Sequence, residues 1–224
     1  MKTHIAMALA LAAAAGVPAA ARAQAAFEGV VTFNLESGRG PATMQYSIRG
    51  RDVRMDMSMG GMEVYTLFNG DTKTMNMVMP MRQMYMEYSA AGMQGMADSA
   101  ARPKITWTGQ KETIAGYTCE HATITAADGT ATDVCLAKGL GTFVPAGGGR
   151  GGRGRGAMSG GWESAVGDAF PLKVQQGGRV IMEATKIEKK SLDPSLFKIP
   201  DGYQKMGMGM GGMGMGRRGG GGGR

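Results

Sequence analysis

Two cysteines and two histidines in 224 residues leave this chain little of the usual equipment for nucleophilic or metal-assisted catalysis. His4 lies in an N-terminal stretch expected to be removed, so His121 is the one imidazole of the mature chain. No serine stands in a G-x-S-x-G elbow, and neither an H-E-x-x-H pair nor a phosphate-binding glycine loop occurs. These absences argue against an enzyme, and no cofactor is expected. Long apolar runs are also missing. The longest, Ile5 to Val17, falls short of the roughly 20 residues that a membrane-spanning helix needs, so no integral membrane segment is expected. Aromatic residues make up only 6% of the chain, and a core must therefore draw on aliphatic side chains and methionine.

The start, "MKTHIAMALALAAAAGVPAAARAQ", has Lys2, an apolar stretch, and then Ala21-Arg22-Ala23, the small-x-small pattern of a signal peptide cleavage site. We expect residues 1–23 to be a leader, the protein to be periplasmic or secreted, and residues 24–205 to form one domain. The net charge of +7 is concentrated outside that domain. Lys2, Arg22, Arg150, Arg153, Arg155, Arg217, Arg218 and Arg224 take eight of the 25 basic residues, and the other 17 meet 18 acidic ones. The basic residues of the glycine-rich segment 146–160 and of the tail 206–224 suit an anionic envelope surface; export makes nucleic acid the wrong partner. The tail, "MGMGMGGMGMGRRGGGGGR", has almost nothing with which to build a core and is expected to be disordered.

Between these ends the pattern repeats every two residues, the period of half-buried strands. "FEGVVTFNLE", "TMQYSIRG", "RDVRMDMSM", "MEVYTLF", "TKTMNMVM" and "RQMYMEY" follow one another with Gly50-Arg51, Gly60-Gly61 and Asn69-Gly70-Asp71 as turns. After a small-residue stretch at 89–101, strands resume in "KITWTGQKETIAGY" and continue through "FPLKVQQ" and "RVIMEATKIEKK". "WESAVGD" could form two helical turns, and "DPSLF" a single turn capped by Asp193 with Pro194 first. The expected fold is mainly β: a strongly curved antiparallel half-barrel of roughly ten strands, with one or two short helices over its concave face. Cys119 and Cys135 flank an Asp128-Gly129 turn in an exported chain, so a disulfide is expected. A hairpin centred on Ala127 would place the two directly opposite. A metal site on Cys119, Cys135 and His121 would be one ligand short of a structural zinc site. Glu112 and Glu120 read as solvated strand positions, as do Asp52, Asp56 and Glu63.

Ten methionines fall between Arg54 and Tyr88, most of them two apart. Alternate strand residues share a face. Met55, Met57 and Met59 then form one row, Met75, Met77 and Met79 a second, and Met84 and Met86 a third, with Asp56, Ser58, Asn76, Arg82 and Tyr85 on the other face. Three readings stay open. The rows could be core, since methionine fills irregular space; they could line a groove for an apolar or lipid-like ligand; or their thioethers could bind Cu(I) or Ag(I). Met206, Met208, Met210, Met213 and Met215 of the tail are further soft-metal candidates.

"FEGVVTF", "YSIRGRDVRMDM", "MPMRQMYMEY", "TGQKETIAGYTCEHATIT" and, most of all, "FPLKVQQGGRVIMEATKIEKKSLDPSLFKIPDGYQKM" resemble the secreted bacterial family called domain of unknown function 4412. That resemblance implies the fold of the lipoprotein carriers LolA and LolB, a half-barrel with an apolar concave face under short helices. It implies no activity and assigns no site residue.

Overall fold

In a computed structural model, residues 26–37, 40–59, 62–89, 103–141, 143–144 and 166–206 can be described. The leader, the glycine-arginine segment 146–160 and tail residues 207–224 lie outside them. The described residues form one open sheet of twelve strands. They are β1 (Glu28–Ser37), β2 (Gly40–Arg49), β3 (Asp52–Met59), β4 (Met62–Asn69), β5 (Thr74–Met79), β6 (Met84–Ser89), β7 (Lys104–Ile114), β8 (Tyr117–Thr125), β9 (Ala131–Ala137), β10 (Phe170–Gln176), β11 (Arg179–Lys189) and β12 (Gln204–Lys205). Their order in space is β12-β6-β5-β4-β3-β2-β1-β11-β10-β9-β8-β7. Eleven strands pair antiparallel, the arrangement that short turns allow wherever they join neighbouring strands. The two-residue β12, which the periodicity did not reveal, lies parallel to β6.

Turn chemistry and bulges set the shape. Gly177 and Gly178 both have positive φ, 57° and 75°, and make the two-residue turn that joins β10 to β11. That conformation matches the twist of the flanking strands and suits glycine. The register shifts between Thr32 and Phe33, between Pro171 and Lys173, between Val174 and Gln175, and between Trp107 and Lys111. Bulges of this kind bend a strand and increase its twist. Pro171 is in an interior strand, beside one of these bulges, where the ladder tolerates a residue without an N–H. Twelve strands bent in this way form the expected strongly curved half-barrel.

The inner face holds the main core. Val31, Tyr46, Met55, Thr66, Met77 and Met86 stand in one register row across β1 to β6, and the first four are buried. The few aromatic residues are concentrated here. Tyr46 stacks on Phe143 at 5.5 Å and meets Phe170 edge-on at 5.4 Å, while Phe33 lies 6.0 Å from Phe170. Phe143 belongs to the segment after β9, which places Leu140, Phe143 and Val144 in this cluster. The Val144 N–H donates to the Tyr46 hydroxyl at 2.6 Å, and that hydroxyl donates to the Val144 carbonyl at 3.3 Å. Burial pushes the Tyr46 phenol well above its ordinary pKa.

Helices over the inner face were expected, and the described residues do not supply them. Residues 90–102 and 145–165 lie outside the description, and Val166–Asp168, the described end of "WESAVGD", forms a bend and turn. The 3-10 turn Pro194–Phe197 does form, with the Asp193 carboxylate accepting from the Ser195 N–H at 2.8 Å. It lies on the outer face instead. There Tyr65, Leu67 and Val78 form a second cluster with Tyr85, Ile199 and Tyr203. The face read as mostly polar thus carries an apolar patch, covered by the chain that follows β11. Met206, assigned to the tail, is still tied in: its N–H donates to the Tyr85 carbonyl at 2.8 Å.

Replacing Tyr46 by Phe would leave the Val144 N–H without its partner inside the core. A loss of about 1–3 kcal/mol in unfolding free energy is expected by urea denaturation. An unchanged midpoint would show that the hydrogen-bonded pair does not anchor Phe143 and Val144.

Candidate functional site

The methionine rows share the inner face but divide in their surroundings. Met55 and Met75 are buried members of the main core, joined there by Met44 and Met182. Met57 is half-buried against it, opposite Met44. Met77, Met79, Met84 and Met86 are half-buried and belong to neither cluster of described residues. Met77 stands opposite Met86, and Met79 opposite Met84. Directly opposed side chains in an antiparallel pair have Cβ atoms about 4.5–5.5 Å apart, and successive residues on one face are about 7 Å apart. Four thioethers therefore form a small rectangular patch near the β6 edge. The Tyr88 hydroxyl, 3.7 Å from the Met86 sulfur, donates to it. The Met59 backbone pairs with Met62; its side chain, and Met208, Met210, Met213 and Met215, lie outside the described residues.

The core reading accounts for the half of the inner face near β1, where Leu140, Phe143 and Val144 fill the space a ligand would need. It leaves the thioether patch unexplained. On the outer face an open groove of about 590 Å³ runs beneath Leu192 and Leu196, with Gln45, Ser47, Arg54 and Tyr65 in its wall. Arg54 lies 3.8 Å over the Tyr65 ring, forks onto Asp56 and donates to the Leu196 carbonyl at 3.2 Å. These bonds pin the turn Pro194–Phe197 to the sheet and tie up the guanidinium.

A second constellation surrounds the disulfide. Cys119 and Cys135 are bonded, with Cα atoms 5.3 Å apart. Their pairing register is shifted by two residues from the expected one, which leaves both on the same face. The hairpin centres on Asp128, so Cys135 faces His121 and Cys119 faces Ala137, and the bond runs diagonally. Across the sheet, His121, Cys135, Lys173 and Glu183 form one row over β8 to β11. Glu112 of β7, opposite Cys119, joins them. Its carboxylate lies 3.1 Å from His121 Nε2 and accepts from Lys173 Nζ at 3.0 Å. Lys173 Nζ is also 3.5 Å from Glu183. The hydrogen bond from Lys173 is the main reason that the Glu112 carboxyl is held below its usual pKa, and the Glu112 bond raises Lys173.

Glu112 is therefore not simply solvated; it is the hub of an ion-pair network with 36% of its side chain exposed. Sequence reasoning passed over it and Lys173 because they lie on separate strands. The alternation of β7 does put Glu112 and Ile114 on one face, and the β7–β8 turn then sets Glu112 against Cys119, so a register argument could have found it.

The family model described as "Domain of unknown function (DUF4412)" matches residues 27–203. No curated protein matches the chain. Among solved structures, similar chains include an uncharacterized conserved protein from Thermus thermophilus, at 9% identity over 82% of this chain and 91% of that one, with a TM-score of 0.51. PNGF-II matches at 14% identity over 80% of this chain and 30% of its own, with a TM-score of 0.49. MucB in complex with MucA(peri) matches at 14% identity over 73% of this chain and 50% of its own, with a TM-score of 0.39. The chain thus spans under a third of PNGF-II and half of MucB. The Thermus likeness is one of fold alone.

A carboxyl whose pKa is depressed on folding contributes stability that is present above its unfolded pKa and lost as pH falls through the folded value. Glu112 should therefore make the protein weaker toward acid below the normal glutamate range. Unfolding curves across that range should fall more steeply for the wild type than for Glu112→Gln, the two converging at low pH. Parallel curves would remove Glu112 from the acid sensitivity.

Proposed function

We propose, for a chain that belongs to the family described as domain of unknown function DUF4412, a non-enzymatic role as an exported binding or carrier protein for an apolar or lipid-like ligand. The observation that carries this reading is the half-buried patch Met77, Met79, Met84 and Met86, which continues the inner-face rows beyond the packed core. Unbranched thioethers adapt to varied apolar shapes. The groove is thereby narrowed to the β5–β6 side, with Met57 at its border; Met55 and Met75 form its floor and do not contact the ligand. Export to the periplasm or beyond rests on the leader pattern of residues 1–23 and on the disulfide, which persists in oxidising compartments. The arginine-glycine segments would hold the protein near an anionic envelope surface.

Native mass spectrometry of gently purified protein should reveal a co-purifying lipid, and a fluorescent long-chain fatty acid should bind. Replacing Met77 and Met86 together by Ser should weaken that probe roughly tenfold or more, since each loses apolar contact area, while leaving the fold intact at these half-exposed positions. No lipid and no probe binding would end the proposal.

The direct pairing of Met77 with Met86 and of Met79 with Met84 also favours a second reading, as an envelope Cu(I) or Ag(I) protein. Cu(I) titrated against a chromogenic chelator should then be withdrawn by the full chain and by one ending at Lys205. Withdrawal by the full chain only would move the site to Met206 and the tail, and withdrawal by neither would eliminate it.

A further inference from the structure

The disulfide and its polar neighbours contain more donor atoms than a structural cross-link uses. The Cys135 sulfur, a His121 ring nitrogen and a Glu112 carboxylate oxygen all lie within 4.8 Å of one another. Cys119 is bonded to Cys135 and so supplies a fourth donor at the same point. We propose that reduction of the Cys119–Cys135 bond converts this cluster into a zinc(II) site with Cys119, Cys135, His121 and Glu112 as its four ligands.

The geometry requires little movement. Tetrahedral zinc, at about 2.3 Å from sulfur and 2.0–2.2 Å from nitrogen or oxygen, holds its donors roughly 3.3–3.8 Å apart. The present limit of 4.8 Å is about 1 Å wider, within reach of side-chain rotation alone. Three strands carry the ligands: Glu112 on β7, Cys119 and His121 on β8, and Cys135 on β9. The backbone ladder therefore keeps them assembled after the S–S bond opens. A second shell is also in place. Lys173 Nζ donates to the two oxygens of Glu112 at 3.0 and 3.4 Å and so fixes the carboxylate with the second oxygen beside His121. Such an outer partner orients a ligating carboxylate.

Access comes from the exposed side of the cluster. Both cysteines are buried at 1% exposure. His121 and Glu112 retain 24% and 36% of their side-chain exposure and offer the metal its entry. The chemistry balances with a dithiol as reductant. One of its thiolates attacks a sulfur of the pair, the S–S bond breaks, and the reductant closes its own disulfide. Its two electrons and two protons end on Cys119 and Cys135. Zinc then displaces those two protons, since the thiolate is the ligand. In the oxidised protein neither sulfur can ligate, and Lys173 neutralises Glu112. The site is thus switched by the state of the bond. It is distinct from the thioether patch and does not depend on the binding role proposed for it.

The test uses the mature chain, oxidised and after anaerobic treatment with dithiothreitol, titrated with cobalt(II) as a spectroscopic substitute and with zinc against a chromogenic chelator. The reduced chain should take up one metal with the intense visible bands of tetrahedral thiolate-bound cobalt, and the oxidised chain none. Glu112→Gln and His121→Ala, checked for folding by circular dichroism, should each weaken zinc by roughly tenfold or more. In the unmodified chain, zinc should slow reoxidation of the two thiols at least tenfold. The proposal fails if the folded protein resists the dithiol or if the reduced chain binds no metal. It fails equally if both variants bind as well as wild type, or if zinc leaves reoxidation unchanged.

Discussion

An open sheet of twelve strands has two large faces to keep from water, and this chain has almost no helix among its described residues with which to do it. Everything else follows from how that shortage is met. The inner face near β1 is closed by Leu140, Phe143 and Val144, held by a tyrosine hydroxyl that both gives and accepts a hydrogen bond. The outer face is closed by the chain after β11, pinned through Arg54 and by the cap of Asp193. In both places a short irregular segment does what a helix does elsewhere, and polar side-chain bonds to its backbone compensate for the regular hydrogen bonding it lacks.

Methionine is the other adaptation. With aromatic residues at 6% of the chain, the stacked rings are gathered in one cluster between β1, β2 and β10, and tyrosines serve the smaller outer cluster. Aliphatic side chains fill most of the remainder, and the flexibility of thioethers lets one side-chain type serve as packed core at Met44, Met55 and Met182 and as a half-buried patch a few strands away. The transition takes place along a single register row, from buried Met55 to half-buried Met86, as the row leaves the region that Phe143 covers.

Much of the architecture was legible because period-two alternation is a local signal. Eleven strands, the Gly50-Arg51 and Gly177-Gly178 turns, the disulfide and the capped turn after Asp193 can all be read from neighbouring residues. What escaped was non-local or patternless. β12 is two residues long and has no alternation to detect. Leu140, Phe143 and Val144 are apolar but aperiodic, so nothing marked them as a cover. The face bearing Tyr65, Leu67 and Val78 looked solvated because its cover arrives from more than 100 residues away. The hairpin pairing was off by two residues because the turn centres on Asp128, so Cys135 faces His121 and not Cys119, while the place of Glu112 beside Cys119 depends on the separate register of β7 against β8. A register shift changes every cross-strand neighbour, and one of two residues does so without turning any side chain to the other face.

The two borders of the sheet are finished differently. On one side the short β12 lies along β6 and ends its ladder. On the other, β7 presents eleven residues with no further strand beyond it among the described residues. Its straight course is broken between Trp107 and Lys111, where the register jumps, and lysines stand at 104 and 111. A long unpaired border invites another chain to add on, and irregularity and positive charge are the common deterrents. An intruding strand could follow β7 for only three or four residues before losing alignment. The kink thus guards this border of the sheet against growing, strand upon strand, into fibres.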